Sequence, residues 1–230
     1  NPRFFGVQAL VMCPTRELAE QVGKSIRQLA SRMSNVKTVM LCGGKPFGPQ
    51  RDSLQHGAHI VVGTPGRIQD HLTRGTLELK GVTTFVLDEA DRMLDMGFAE
   101  VMADITARLP KDRQTLLLSA TFPEDIKKIS RTIQKNPTQI SVEAPVSSEK
   151  AVVEQLFYEV KKHERDLGLL ALFEHHRPRN AMVFCNTKKQ CAEVAAFLQE
   201  HDIEAAAIHG DLEQRDRDQV LLQFTNNTCP

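Results

Sequence analysis

The chain has 230 residues, about one and a half ordinary domains, and its 29 Lys/Arg balance 29 Asp/Glu to a net charge of zero. With 41% hydrophobic and 25% charged residues and a mean hydropathy of −0.30, it reads as an ordinary globular sequence; disordered, collagen-like and coiled-coil classes are excluded as descriptions of the whole. No apolar run reaches the roughly 18 residues that a membrane helix needs, and no basic-then-apolar leader opens the sequence.

The elements expected from apolar spacing follow a repeating order of short buried strand, loop and amphipathic helix. Strands are expected at residues 8–13, 36–42, 59–63, 84–87, 115–118 and 138–142. Helices are expected at 17–30, from the 64–66 turn through Leu72, and at 124–134. Residues 143–150, small and polar with a proline, read as a linker. The pattern then restarts, with strands expected at 152–160, 181–185 and 204–208 and helices at 166–173, 188–199 and 214–224. Alternating strands and helices predict an α/β fold with a parallel sheet covered on both faces. In such sheets ligands bind beyond the carboxyl ends of the strands, so the loops after the strands are the places to look for chemistry.

The five cysteines, Cys13, Cys42, Cys185, Cys191 and Cys229, are odd in number and include no Cys-x-x-Cys pair. That spacing favours reduced thiols over a disulfide framework or a zinc site.

The fourth strand runs into Asp88-Glu89-Ala90-Asp91. Three carboxylates within four residues repel one another, and a cation or a catalytic task offsets that cost. A carboxylate directly after a parallel strand suits Mg²⁺, often through water, and its neighbour could orient or deprotonate a water nucleophile. The competing reading is a solvated acidic helix start. Three other loops combine N-cap candidates, glycines and cations: Pro14-Thr15-Arg16, Gly43-Gly44 and Thr64-Pro65-Gly66-Arg67. Free amides at helix starts bind anions; each loop alone is also explained by capping and turn chemistry. Three of them on one sheet edge make a track for a polyanion. Ser119-Ala120-Thr121, after the fifth strand, could hydrogen-bond the acidic loop or cap the next helix.

The sequence contains no Gly-x-Ser-x-Gly, no His-Glu-x-x-His, no Gly-x-Gly-x-x-Gly and no Gly-x-x-x-x-Gly-Lys-Ser/Thr. With 11 Phe, one Tyr and no Trp, base-stacking platforms are poorly supplied, so any nucleic acid is expected to be held by its backbone. Residues 1–50 carry seven Lys/Arg against two Asp/Glu, a local +5, and residues 201–230 carry two against six, a local −4.

Pro14-Thr-Arg-Glu-Leu-Ala19, Gly43-Gly44, Thr64-Pro-Gly-Arg67, Asp88-Glu-Ala-Asp91 and Ser119-Ala-Thr121, with Val183-Phe-Cys-Asn-Thr187 and Gln214-x-x-Arg217, resemble in order and spacing the motifs of DEAD-box RNA helicases. Residues 42–56 and 209–218 look most like the bacterial DbpA group. The resemblance implies two tandem RecA-like parallel-sheet domains, at 1–145 and 153–230 with a linker at 146–152, which close on ATP and RNA. It implies that Asp88 holds the Mg²⁺ of ATP and that Glu89 positions the attacking water. Asp91, Ser119 and Thr121 would link the nucleotide site to the RNA site. Pro14, Thr15, Arg16, Gly43, Gly44, Thr64, Pro65, Gly66 and Arg67 would contact RNA, joined in the second domain by Asn186, Thr187, Gln214 and Arg217.

The family's phosphate loop and its last two motifs do not occur in these 230 residues. Both domains are therefore expected to be incomplete and the chain by itself inactive, while its parent is a cytoplasmic, monomeric, RNA-dependent ATPase acting on ribosomal RNA. Two alternatives stand beside this reading. One is an RNA-binding module without ATPase activity; the other is a carboxylate–Mg²⁺ phosphohydrolase or nuclease.

Overall fold

The computed structural model describes residues 6–142 and 153–226. The chain divides into two units, Asn1–Val142 and Glu143–Pro230; the expected linker at 146–152 and Cys229 lie outside the described residues.

In the first unit five short strands form one all-parallel sheet: β1 (Ala9–Met12), β2 (Thr38–Leu41), β3 (Ile60–Gly63), β4 (Thr84–Leu87) and β5 (Gln114–Leu117), in the spatial order β2-β3-β1-β4-β5. In register, Ala9 pairs with Ile60 on one side and Thr84 on the other, and Thr84 pairs with Gln114. Parallel strands of this kind need apolar residues on both faces, because crossover helices cover both. β1 shows this directly. Leu10 and Met12 point into the larger core with Phe85, Leu87 and Ile68, while Val11 and Cys13 point into a smaller one with Ala19, Cys42 and Val62.

Helices α1 (Arg16–Leu29), α2 (Phe47–Gln55), α3 (Pro65–Thr73), α4 (Ala90–Asp95), α5 (Ala99–Ala107) and α6 (Glu124–Ile133) connect the strands. The spacing announces α1, α3 and α6. α2 is not legible, because its first turn contains Gly48 and Pro49; a proline is tolerated there, where its missing N–H would have no intrahelical acceptor. α4 and α5 are equally hidden, α4 because it begins inside the acidic run.

The expected sixth strand at 138–142 is not formed: Ile140 and Val142 are 83% and 86% exposed and the segment joins no ladder. β5 is accordingly an edge strand of the described sheet.

The second unit contains α7 (Arg165–His176), α8 (Lys188–Glu200) and α9 (Gln214–Thr225). The strands expected from residue 152, at 181–185 and at 204–208 carry no ladder in the described residues, and Phe184 is 93% exposed. Apolar residues in this unit meet instead around Val194 and Leu198 of α8, both buried. Parallel pairing is the weaker kind per residue and is stable when both faces are covered; here Met182, Val183 and Phe184 are exposed. An apolar run marks a buried-strand candidate, and the neighbours that would make it a strand are a tertiary matter.

Candidate functional site

Because every strand of the first unit runs the same way, all five loops that follow them emerge at one edge of the sheet. The strand order sorts them. The Gly43-Gly44, Thr64–Arg67 and Pro14–Arg16 loops follow β2, β3 and β1, three adjacent strands. The Asp88–Asp91 and Ser119–Thr121 loops follow β4 and β5. Cation-bearing loops thus occupy one half of the edge and carboxylates the other. The direction of strand progression reverses between β1 and β4, where doubly wound sheets open a crevice.

In the first half, Thr15 caps α1, its Oγ1 accepting from Leu18 N at 3.3 Å. A capping hydroxyl spends a lone pair and keeps its O–H donor, so capping and anion contact are compatible. Arg16 opens α1, and its guanidinium packs against Gly43 and Gly44. Gly44 has φ +73°, a conformation that costs a residue with a Cβ. Lys45 pairs with Glu20. Arg67 crosses from the β3 loop and donates from Nη1 to the Lys45 carbonyl at 3.1 Å. Pro65 occupies the first position of α3, where its fixed φ suits a helix start. Thr64 sits at the N-cap without a side-chain capping bond, and Gly66 has open space where a Cβ would stand.

Gln50 was not singled out by the sequence. It is buried, and its Nε2 donates to the carbonyls of Cys42 at 2.9 Å, Pro46 at 3.3 Å and Lys45 at 3.5 Å. It holds the 42–46 turn together from beneath. The usable sequence signal was a polar residue six positions after a double glycine.

In the second half the three carboxylates have three different fates. Asp88 follows β4 with its amide bonded to the Met12 carbonyl at 3.0 Å, and its Oδ1 accepts from Glu89 N at 3.1 Å. Burial pushes the Asp88 carboxyl up, and the neighbouring Glu89 charge adds to the rise against that amide bond. Glu89 has φ +49°, left-handed for a non-glycine residue; such strain persists only when the surroundings over-determine it, and it clusters at functional sites. Its carboxylate meets Arg92 Nη1 at 3.2 Å.

Asp91 reaches the other loop: its Oδ2 accepts from Thr121 N at 2.8 Å and Thr121 Oγ1 at 2.7 Å, and its amide donates to Ser119 Oγ at 3.3 Å. Burial alone would raise its pKa, but the bonds from Thr121, Ser119 and Arg92 N overcome that and bring it down to about 2. Carboxylates three residues apart are pushed in opposite directions by their surroundings, which is how one site assigns different roles to the same group. The acidic helix start is present, with Asp91 in the first turn of α4, and the same residue bonds across to Ser119 and Thr121.

Cys13 and Cys42 are buried beneath these loops as free thiols. Burial, then the Asp88 charge, pushes Cys13 up to about 12, so it is an unreactive core residue.

In the second unit Thr187 caps α8, accepting from Gln190 N at 3.1 Å, and Asn186 beside it is exposed. Lys188 pairs with Asp211. Arg217 donates to the carbonyls of Gly210 at 3.1 Å and Leu212 at 3.2 Å, so it braces the loop before α9. Gln214 bonds Asp218 at 2.8 Å. Residues 186–188 and the 209–212 loop are thereby brought together through Lys188 and Asp211.

The DEAD/DEAH box helicase family model matches residues 2–129, and the helicase conserved C-terminal domain matches residues 163–230. The chain is 50% identical over 225 residues to the ATP-dependent RNA helicase DbpA of Escherichia coli (strain K12), covering 98% of this chain and 49% of that protein. It is 39% identical over 221 residues to ATP-dependent RNA helicase DeaD of the same strain, covering 96% of this chain and 35% of that one. The chain thus spans half or less of the length of these curated relatives.

Among solved structures, a DEAD box protein from the hyperthermophile Methanococcus jannaschii matches all of this chain and 61% of its own, with 39% identity and a TM-score of 0.59. A Saccharomyces cerevisiae Dbp5 variant bound to RNA and ADP BeF3 matches all of this chain and 57% of its own, with 27% identity and a TM-score of 0.83. The tandem domains are RecA-like, and the chain belongs to the DEAD/DEAH box helicase family.

Proposed function

We propose that these residues form the RNA track and the magnesium-and-water side of an ATP-dependent RNA helicase. One observation carries the reading: the strand order puts the cation- and glycine-bearing loops on β2, β3 and β1 and the carboxylates on β4 and β5 of the same edge. A polyanion and a nucleotide are then held side by side on one rigid sheet.

The residues fit ATP with Mg²⁺. Among the described residues no cluster of three or more His, Cys, Asp or Glu could cage a metal ion. Mg²⁺ commonly needs no such cage, being held by one or two carboxylates, waters and substrate phosphates. Bound Mg²⁺–ATP supplies the phosphoryl group and neutralises charge on the phosphates. Asp88, which directly follows β4, would hold the ion, through water. Glu89, held in a left-handed backbone at the start of α4 with its carboxylate against Arg92 Nη1 at 3.2 Å, would orient and deprotonate the attacking water. Asp91 stays ionised and grips Ser119 and Thr121, so a shift of either loop is felt by the other.

Pro14, Thr15, Arg16, Gly43, Gly44, Thr64, Pro65, Gly66 and Arg67 bind the RNA backbone, with Asn186, Thr187, Gln214 and Arg217 on the second domain. Phosphate contacts of this sort position a strand without reading its sequence. The domain limits 1–145 and 153–230 belong to this proposal. So do a monomeric state, ribosomal RNA as target and a cytoplasmic setting. The likeness to the DbpA group supports the target, and the free thiols Cys13, Cys42, Cys185 and Cys191 suit a reducing compartment.

The test uses the protein in its full reading frame. ATP hydrolysis should require RNA, and Glu89→Gln should abolish turnover while nucleotide binding persists. Normal turnover by that variant refutes the role of Glu89; RNA binding with no hydrolysis in the unmutated protein favours an RNA-binding module instead.

A further inference from the structure

Phe47 is the first residue of α2, three positions after Gly44. Its ring stacks on His71 of α3 with centroids 4.1 Å apart and planes 14° apart. Two guanidiniums of the β3–α3 segment lie over the same ring, Arg74 at 4.5 Å and Arg67 at 5.8 Å. Arg67 also donates to the Lys45 carbonyl. His71 is fully buried and anchored through Nδ1 to Thr76 Oγ1 at 2.8 Å. The 43–46 loop and the 64–67 turn are therefore joined through one half-buried aromatic ring, over which the guanidinium of Arg67, an expected RNA residue, lies.

We propose that Phe47 is a positioning residue for RNA: by stacking on His71 under Arg67 and Arg74, it fixes the distance between the Gly43-Gly44 loop and the Thr64–Arg67 turn, so that both meet consecutive phosphates of one strand. This rests on the reading of those loops as an RNA track. A phosphate spacing is matched only if the two loops do not slide, and a flat aromatic clamped on a buried ring resists sliding better than a flexible aliphatic chain. Arg67 serves both ends, with its head oriented by the ring and by the Lys45 carbonyl. His71 is suited to the inner position because burial, then the Arg67 charge, lowers its pKa to about 4. A neutral ring can lie near two guanidiniums without repelling them.

The experiment measures anisotropy of a fluorescein-labelled single-stranded oligouridine from low to moderate salt, and RNA-stimulated ATP hydrolysis, in the full reading frame. Phe47→Ala should raise the RNA dissociation constant about five- to tenfold, equivalent to ~1–1.4 kcal/mol. It should leave kcat at saturating RNA within about twofold and flatten the slope of log affinity against log salt by about 0.7, one phosphate contact on a single strand. Phe47→Tyr, which keeps the stacking face, should restore affinity. Phe47→Leu, which keeps apolar bulk without the flat face, should show an intermediate loss with a nearly unchanged melting temperature, and it decides the matter if Phe47→Ala does not fold. A merely structural role would lower melting temperature and active fraction while leaving affinity and salt slope of the folded protein intact, and that result overturns the proposal. Arg16→Ala combined with Arg67→Ala separates the two levels. If that pair leaves RNA affinity unchanged, the RNA track itself is wrong; if it weakens binding while folded Phe47→Leu and Phe47→Ala do not, only the positioning role falls.

Discussion

Gly44→Ala tests the geometry of the basic half of the site most directly. Gly44 has φ +73°, and a Cβ there would stand 2.1 Å from Arg16 Nη1 and 2.6 Å from its Cζ. The left-handed backbone costs an alanine about 1–2 kcal/mol, while the clash is with the far end of a flexible side chain and is relieved by moving it. Stability should therefore fall by about 1–2 kcal/mol, or about 2–8 °C in the melting of the first unit. The guanidinium should be displaced from its place over the loop. Losing one phosphate contact flattens the salt dependence by about 0.7 for a single strand. Gly43→Ala is the control, because Arg16 Nη2 lies at an ordinary 3.5 Å from its Cβ position, so its stability should change by under about 0.5 kcal/mol. The assay is thermal and urea unfolding together with oligouridine binding, run as a cycle with Arg16→Ala. Because both changes act on the same guanidinium, their effects on affinity should be far from additive. Equal stability of Gly44→Ala and Gly43→Ala, or strict additivity with Arg16→Ala, would refute the reasoning.

His71 is buried with its pKa lowered to about 4, so between pH 6.5 and 4 the unfolded chain binds a proton that the folded one does not. Stability should decline as pH falls through that window, by on the order of 3 kcal/mol at its lower end. His71→Asn should flatten this decline in urea titrations, and an unchanged slope would count against it. Asp91 has its pKa depressed to about 2; its contribution is present above about pH 4 and is lost as pH falls toward 2, so the stability of Asp91→Asn should converge on that of the unmutated protein only at the acid end. Thr187→Ala removes the cap of α8 and should cost about 1 kcal/mol, while Thr187→Asn should recover most of it. If neither variant shifts the unfolding midpoint, the capping bond carries no weight.

Much of the architecture was legible because apolar runs of four to six residues bounded by turn residues have few alternatives. The five strands of the first sheet, α1, α3 and α6 follow from period and length. The acidic loop, the paired glycines and the Thr15 cap could be named because their chemistry is local: a cap depends on the residue and the three that follow it, although Thr64, an equal candidate by that rule, makes no capping bond. By itself the sequence also determined the family, since seven short motifs in fixed order are carried by residue identity alone.

What it could not determine is which of its loops become neighbours. Chain order runs Pro14, Gly43, Thr64, Asp88, Ser119; the sheet reorders them by inserting β1 between β3 and β4, and that insertion makes the Pro14–Arg16 loop, rather than the Thr64–Arg67 loop, the neighbour of Asp88–Asp91. The partners that tune the site are equally long-range. Thr121 lies 30 residues from Asp91, and Arg67 lies 22 from the carbonyl it holds. Gln50 and Phe47 stand on a helix that the local pattern conceals. The reverse failure, at 138–142, 181–185 and 204–208, has the same origin: an apolar run specifies that a segment can be buried, whereas a strand exists only when another backbone lies about 5 Å away to complete its hydrogen bonds.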